Sequence, residues 1–138
     1  MVQIDMTYAG GLLTRLEHPS GVHIVTDAPK DNQGEGSAFS PTDLLAASLA
    51  SCALTTMAIR ARQTDVNLAG TYATIEKHME SQPRRVGRIV VNLHLPIQMK
   101  ESKYRILLEE AALQCPVAQS LHTSLVQDLH FTYDIENN

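Results

Sequence analysis

Two cysteines are the residues of this chain with the most distinctive chemistry. Cys52 and Cys115 are the only cysteines among 138 residues, and 63 positions separate them. Such a pair forms no disulfide scaffold, and no Cys-x-x-Cys spacing predicts a zinc or thioredoxin-like site. Free cysteine is among the most buried residue types, so one interpretation is that both are core residues. The other is a dithiol that cycles to a disulfide and can reduce a peroxide, which requires the fold to bring the two sulfur atoms together.

The local settings of the two thiols differ. Cys115 stands directly before Pro116, which predicts that it caps the short helix of residues 116–122. The free amides and the positive dipole end of a helix start favour a thiolate, so we expect this position to lower the pKa of Cys115. Cys52 lies in the middle of a predicted helix, where burial favours the neutral thiol. Taken alone, the position of Cys115 indicates either a reactive thiol or a cysteine that stands at the helix cap by accident. The position of Cys52 alone indicates a core residue.

A long apolar helix positions Cys52. Residues 41–63 are apolar on most of the helix circumference, which predicts a buried central helix. Ser40 as N-cap, Pro41 at the first helical position and Asp43 three residues after Ser40 mark its start as a capping box. Residues 27–39 before it are rich in Gly, Asp and Asn. They predict a loop long enough to indicate a functional role.

The remaining patterns predict an α+β fold. Alternating apolar residues indicate strands over residues 2–8, 12–17, 22–26, 71–80, 85–97 and 125–135. Further helices are predicted over residues 101–114 and 116–122. The order of three strands, the long helix, two strands, two helices and one strand predicts a mostly antiparallel sheet around the central helix. The length fits a single domain over residues 1–138.

Composition and charge exclude several classes of protein. The chain is 43% hydrophobic and 19% charged, which is typical of a soluble globular domain. Its net charge of −4 and the absence of a basic block predict neither nucleic acid nor a membrane surface as a partner. The start has no basic leader, and Ser and Thr interrupt the most apolar stretch, so we expect a cytoplasmic protein. The histidines have no metal-ligand spacing, and His122 is a candidate for tuning the nearby Cys115.

The two cysteine segments resemble the OsmC/Ohr family, the osmotically inducible and organic hydroperoxide resistance proteins. One segment is SPTDLLAASLASC, in which Cys52 follows Pro41 by eleven positions, and the other is CPVAQSL, beginning at Cys115. Both are similar to family hallmarks, and the likeness extends over nearly the whole chain. The resemblance implies an OsmC-like α+β fold and an intertwined homodimer with the sites at the subunit interface.

The resemblance also implies thiol peroxidase activity on organic hydroperoxides. In its terms the thiolate of Cys52 attacks the O–O bond, releases an alcohol and becomes a sulfenic acid, which Cys115 resolves to a disulfide. An external dithiol, either a lipoylated protein or a small thiol, then restores both cysteines. No metal or bound cofactor is implied, because sulfur carries the two electrons. Apolar side chains are expected to wall the site and favour alkyl hydroperoxides: Leu44, Leu49, Leu54 and Met57.

The chain departs from the family pattern at the residues that support the thiolate. Strong peroxidases of the family have an arginine beside the thiolate and a glutamate, after the helix-opening proline, that orients it. Thr42 occupies the glutamate position, and the displaced Asp43 is expected to cap the helix. Arg15 on the second strand is the candidate cation, with a surface arginine as the alternative interpretation. Lys30 in the loop is a weaker candidate, because an ammonium lacks the bidentate geometry of a guanidinium.

These departures leave a second function open. A non-catalytic relative would use the same dimer to bind a small apolar or thiol ligand, or would act as a structural stress protein. An enzyme should have a Cys52 that is alkylated quickly well below about pH 8.5. A binding protein should have a Cys52 that reacts slowly until the protein is denatured.

Overall fold

A computed structural model describes residues 1–136 of the chain. It divides into two compact units, Met1–Leu45 and Ala46–Asn138, with the boundary in the first turns of the long helix. The element order is the predicted one, and the α+β fold class is confirmed. The single domain over residues 1–138 stays a prediction.

The first unit contains a three-stranded antiparallel sheet. Its strands are β1 (Asp5–Tyr8), β2 (Thr14–Glu17) and β3 (His23–Thr26), paired in chain order. The turn between β1 and β2 is made by Gly10 and Gly11, whose φ angles of +92° and +58° favour glycine.

The two faces of this sheet differ in polarity. Met6, Leu16 and Ile24 are partners across the three strands and so lie on one face. The next row, Thr7, Arg15 and Val25, lies on the opposite face. The first face is apolar, yet Met6 is 65% exposed and Ile24 45% exposed in the single chain.

The predicted loop of residues 27–39 is held by its own hydrogen bonds. The buried Asp27 carboxylate accepts a hydrogen bond from the amide of Ser37 at 3.0 Å and one from its hydroxyl at 2.7 Å. These bonds, the amide first, hold the pKa of Asp27 below its ordinary value. A Cβ at Gly34 would lie 1.8 Å from the carbonyl oxygen of Ala28, so the loop can close only with glycine there.

The long helix, α1 (Pro41–Ala61), begins at the predicted capping box. The Ser40 amide donates to the Asp43 carboxylate at 2.9 Å, and the Asp43 amide donates to the Ser40 hydroxyl at 3.0 Å. Asp43 is therefore a helix cap, as predicted.

The helix α1 is buried along one stripe rather than all round. The stripe has helical spacing and consists of Ala46, Leu49, Ala50, Ala53, Met57 and Ala61. Ser51, Thr55 and Ile59 lie on the exposed side. By length and mean hydropathy of 1.5, α1 is also long and apolar enough to cross a membrane. Its stripe packs into the hydrophobic core of the second unit, which is the behaviour of a core helix.

The second unit is built on another three-stranded sheet. Its central strand is β5 (Arg85–Pro96), which pairs antiparallel with β4 (Tyr72–Glu80) and parallel with β6 (Val126–Ile135). The inward residues of β5, namely Ile89, Val91, Leu93 and Leu95, are fully buried. The strands thus form two separate sheets, and most strand pairs are antiparallel as predicted.

Two helices connect β5 to β6. They are α2 (Arg105–Leu113), which buries Leu108 and Ala112, and α3 (Pro116–Ser120). The Tyr133 hydroxyl on β6 donates to the Glu109 carboxylate on α2, which also pairs with Arg105 at 3.4 Å. Burial first, and then Glu109, raise the pKa of Tyr133, so its hydroxyl remains a donor.

Candidate active site

Cys52 lies in the middle of α1, beside the buried stripe. The Cys52 side chain is half-buried, and the next residue on the helix, Ala53, belongs to the buried stripe. The hydroxyl of Thr56, one turn later, lies 4.0 Å from the Cys52 sulfur. Cys52 is therefore neither a sealed core residue nor a fully exposed thiol.

Cys115 lies between α2 and α3, at the predicted N-cap position. Its φ and ψ of −62° and 157° are extended, and Pro116 opens α3 directly after it. The side chain is 0% exposed and belongs to the hydrophobic core. The cap position is confirmed, and the residue is sealed from solvent.

The structure brings the two thiols together. The side chain of Cys52 is within hydrogen-bonding reach of the Cys115 sulfur, and both cysteines are free thiols. The contact joins α1 to the α2–α3 connection across 63 positions of sequence. The fold therefore places two thiols that are distant in sequence side by side.

The expected lowering of the Cys115 pKa is wrong. Burial is the largest influence and raises its pKa, and the adjacent Cys52 raises it further. The amides of Ala118 and Val117 at the start of α3 act in the opposite direction but do not outweigh burial. Neither forms a side-chain cap hydrogen bond with the sulfur. A five-residue helix thus offers too little stabilisation for a thiolate in the core.

The two thiols are chemically unequal as a result. Cys115 is enclosed and held as a neutral thiol, whereas Cys52 retains solvent exposure. Oxidation of cysteine follows thiolate character and access. Of the two thiols, Cys52 is therefore the more accessible to a reagent from solvent.

The candidate cations lie in the first unit. Arg15 on β2 donates through Nε to the Glu17 carboxylate at 3.0 Å, and its side chain is 42% exposed. Lys30 lies in a short 3-10 helix of the loop, Lys30–Asn32, with its stem against Gly36. The Thr42 hydroxyl lies 3.1 Å from the Ser40 hydroxyl at the helix cap.

Two of the four predicted pocket walls are core residues instead. Leu49 and Met57 are fully buried in the stripe of α1 that packs against the sheet of the second unit. Leu54 and Leu44 are half-buried. The prediction of Leu49 and Met57 as walls is wrong, because periodicity identifies the apolar positions without distinguishing the side that meets the sheet.

Histidines do not surround the thiols in the described residues. The His122 ring lies in a turn, where its Nδ1 accepts a hydrogen bond from the Ser124 amide at 3.0 Å. Three other histidines line the outer face of the second sheet beside carboxylates: His94 with Asp134, His130 with Asp128 and His78 with Glu76. Among residues 1–136, no group of three or more His, Cys, Asp or Glu side chains is arranged to hold a metal ion.

The comparison with protein families decides the identity of the fold. The family model described as OsmC-like protein matches residues 34–130, which is more than half of the chain. The chain belongs to the OsmC family. The matched range contains both cysteines, α1 and most of the second unit. Proteins of this family are soluble, which agrees with the packing of α1 into a core.

Solved structures share the OsmC fold over almost their whole length. One is a Psychrobacter arcticus protein for which a role in the osmotic stress and detoxification response is suggested. It is 44% identical to this chain with a TM-score of 0.88, and the match covers 95% of this chain and 96% of that one. An organic hydroperoxide resistance protein OsmC from Legionella pneumophila is 22% identical with a TM-score of 0.67, covering 94% and 96%. Another such protein, from Elizabethkingia anophelis, is 18% identical with a TM-score of 0.73, covering 97% and 98%. No curated protein matches the chain.

One polar neighbour of the thiols, Thr56, is not part of any recognisable sequence motif. Thr56 lies beside Cys52, and the signal that points to it is the spacing of four positions, which places two residues on the same side of a helix. Its closeness to the sulfur depends on the rotamers of both side chains, which a sequence pattern does not specify.

Proposed function

We propose that this OsmC protein is a thiol-dependent peroxidase that reduces organic hydroperoxides to alcohols. The observation that carries the proposal is the contact between the half-buried thiol of Cys52 and the buried thiol of Cys115. Relatives of the same fold named as organic hydroperoxide resistance proteins support the substrate class.

The reaction balances with these two thiols alone. The Cys52 thiolate attacks the O–O bond, the S–O bond forms, and the alkoxide leaves and takes a proton to become the alcohol. The sulfur of Cys115 then attacks the sulfenic acid of Cys52 and expels water as the S–S bond forms. An external dithiol, a lipoylated protein or a small thiol, reduces the disulfide by exchange and is itself oxidised.

Arg15 is proposed as the cation that supports the Cys52 thiolate. Its guanidinium donates through Nε to the Glu17 carboxylate at 3.0 Å, and the fork of a guanidinium can hold a thiolate and a carboxylate together. Glu17 would supply the orienting carboxylate that Thr42 does not. Arg15→Ala is expected to slow the first step, whereas Lys30→Ala should leave it unchanged.

The functional unit is proposed to be a cytoplasmic homodimer. The apolar face of the first sheet leaves Met6 and Tyr8 65% and 70% exposed, which is a surface that soluble proteins normally cover. A second copy of the chain would cover it through a two-fold interface.

Consumption of cumene hydroperoxide tests the proposed function. Cys52→Ser should abolish turnover with a dithiol reductant. Cys115→Ser should consume one equivalent and accumulate a sulfenic acid on Cys52, detected by mass. Turnover of Cys52→Ser equal to that of the unchanged protein would exclude the peroxidase. An inert reduced protein would favour the non-catalytic binding protein.

A further inference from the structure

The hydroxyl of Thr56, on α1, lies beside the Cys52 sulfur. Its Oγ1 lies 4.0 Å from that sulfur, which is the outer limit for a hydrogen bond to sulfur. Thr56 is half-buried, on the same side of the helix as Cys52, whereas Thr55 is exposed.

The hydrogen bond from Thr56 to Cys52 should be stronger when the Cys52 sulfur is a thiolate, which is its reactive state. A thiol is a weak acceptor, whereas hydrogen bonds to an ionised acceptor are shorter and roughly twice as strong. In a helix a threonine divides between two χ1 rotamers, because its hydroxyl can also bond to the carbonyl one turn before it. Ionisation of the sulfur would draw the hydroxyl toward Cys52.

The position of Thr56 also distinguishes the two thiols. Cys115 is enclosed by the core, with helix amides that form no side-chain cap bond to it. The hydroxyl lies beside the thiol that retains solvent exposure. A hydrogen bond from Thr56 would therefore act on the thiol that an external reagent meets first.

We propose that Thr56 is a positioning residue for Cys52, donating a hydrogen bond to its ionised sulfur and directing the reactive thiolate to that cysteine. Its effect on peroxide reduction rests on the proposed function. The hydrogen bond itself does not, because it concerns the ionisation of a thiol that any alkylating reagent can report.

The test compares threonine variants in the full-length reduced protein. Iodoacetamide labelling of Cys52, followed by peptide mass from pH 6 to 10, gives the pH of half-maximal rate. Thr56→Val keeps the shape and removes the hydroxyl, so the half-maximal pH should rise by about 0.5–1 unit. Thr56→Ser should restore it, and Thr55→Val, the exposed control, should match the unchanged protein.

The outcomes separate this proposal from the peroxidase. A Thr56→Val profile that coincides with that of the unchanged protein overturns it, whether or not hydroperoxide is consumed. An equal rise in Thr55→Val also overturns it, because the effect would then be general to the helix. A rise in Thr56→Val with rescue by serine supports it even if the protein reduces no hydroperoxide.

Discussion

The side chain of Cys52, in the middle of α1, contacts the sulfur of Cys115, which precedes α3. The contact exists because the buried stripe of α1 and the end of α2 share one core, to which Cys115 and Ala112 both belong. The pair is asymmetric, since one thiol is half-buried and the other is sealed.

This asymmetry predicts the order of alkylation. In the reduced protein at about pH 8, Cys52 should react with iodoacetamide at least about tenfold faster than Cys115, because burial both blocks access to Cys115 and raises its pKa. Peptide mass mapping over time measures both rates. Labelling of Cys115 should increase further as the pH rises above 9, and equal rates at pH 8 would contradict the burial of Cys115.

Parts of the site could be predicted from sequence because they are local. The capping box at Ser40 and Asp43 depends on residues three positions apart, and the cap position of Cys115 follows from Pro116. The inward face of β5 follows from alternation of period two.

The remaining features depend on tertiary packing. Whether a helix start lowers the pKa of a thiol depends on how deeply the sulfur is buried, and for Cys115 burial prevails. The apolar residues of α1 do not show which side meets the sheet, so the sequence pattern does not distinguish a pocket wall from the core at Leu49 and Met57. The separation into two sheets depends on which strands pair, which alternation does not specify.

The loop of residues 27–39 should respond to acid through Asp27. Its pKa is lowered in the folded protein, so its stabilising effect is present above the unfolded value near pH 4 and is lost as the pH falls further. Asp27→Asn should therefore lower the thermal midpoint at pH 7, with the difference closing below about pH 4. Asp5→Asn, an exposed carboxylate on β1, is the control. If Asp27→Asn lowered the thermal midpoint as much at pH 3 as at pH 7, the acid response of the loop could not be attributed to Asp27.

The bond between Tyr133 and Glu109 should stabilise the docking of α2 on the sheet. Tyr133→Phe removes the donor and leaves the half-buried carboxylate with Arg105 alone, which should cost about 1 kcal/mol and lower Tm by roughly 3 °C. Tyr72→Phe should have little effect, because its ring stacks on His94 through its face. Equal stability of Tyr133→Phe and the unchanged protein would show that this bond contributes nothing.

The apolar face of the first sheet predicts a dimer that one charge can disrupt. Met6→Asp should shift the mass in sedimentation from twice 15.2 kDa toward 15.2 kDa. Thr7→Asp, on the next residue and the opposite face, should leave the dimer intact. A monomeric unchanged protein, or dissociation by Thr7→Asp alone, would contradict an interface on this face.

The most direct test of the proposed chemistry is the mass of the reduced protein after one equivalent of cumene hydroperoxide. The account predicts the loss of two hydrogen atoms and a peptide in which Cys52 is joined to Cys115, formed as the hydroperoxide becomes its alcohol. Two results would contradict it. One is hydroperoxide that stays unreduced, and the other is hydroperoxide that disappears while both thiols can still be alkylated.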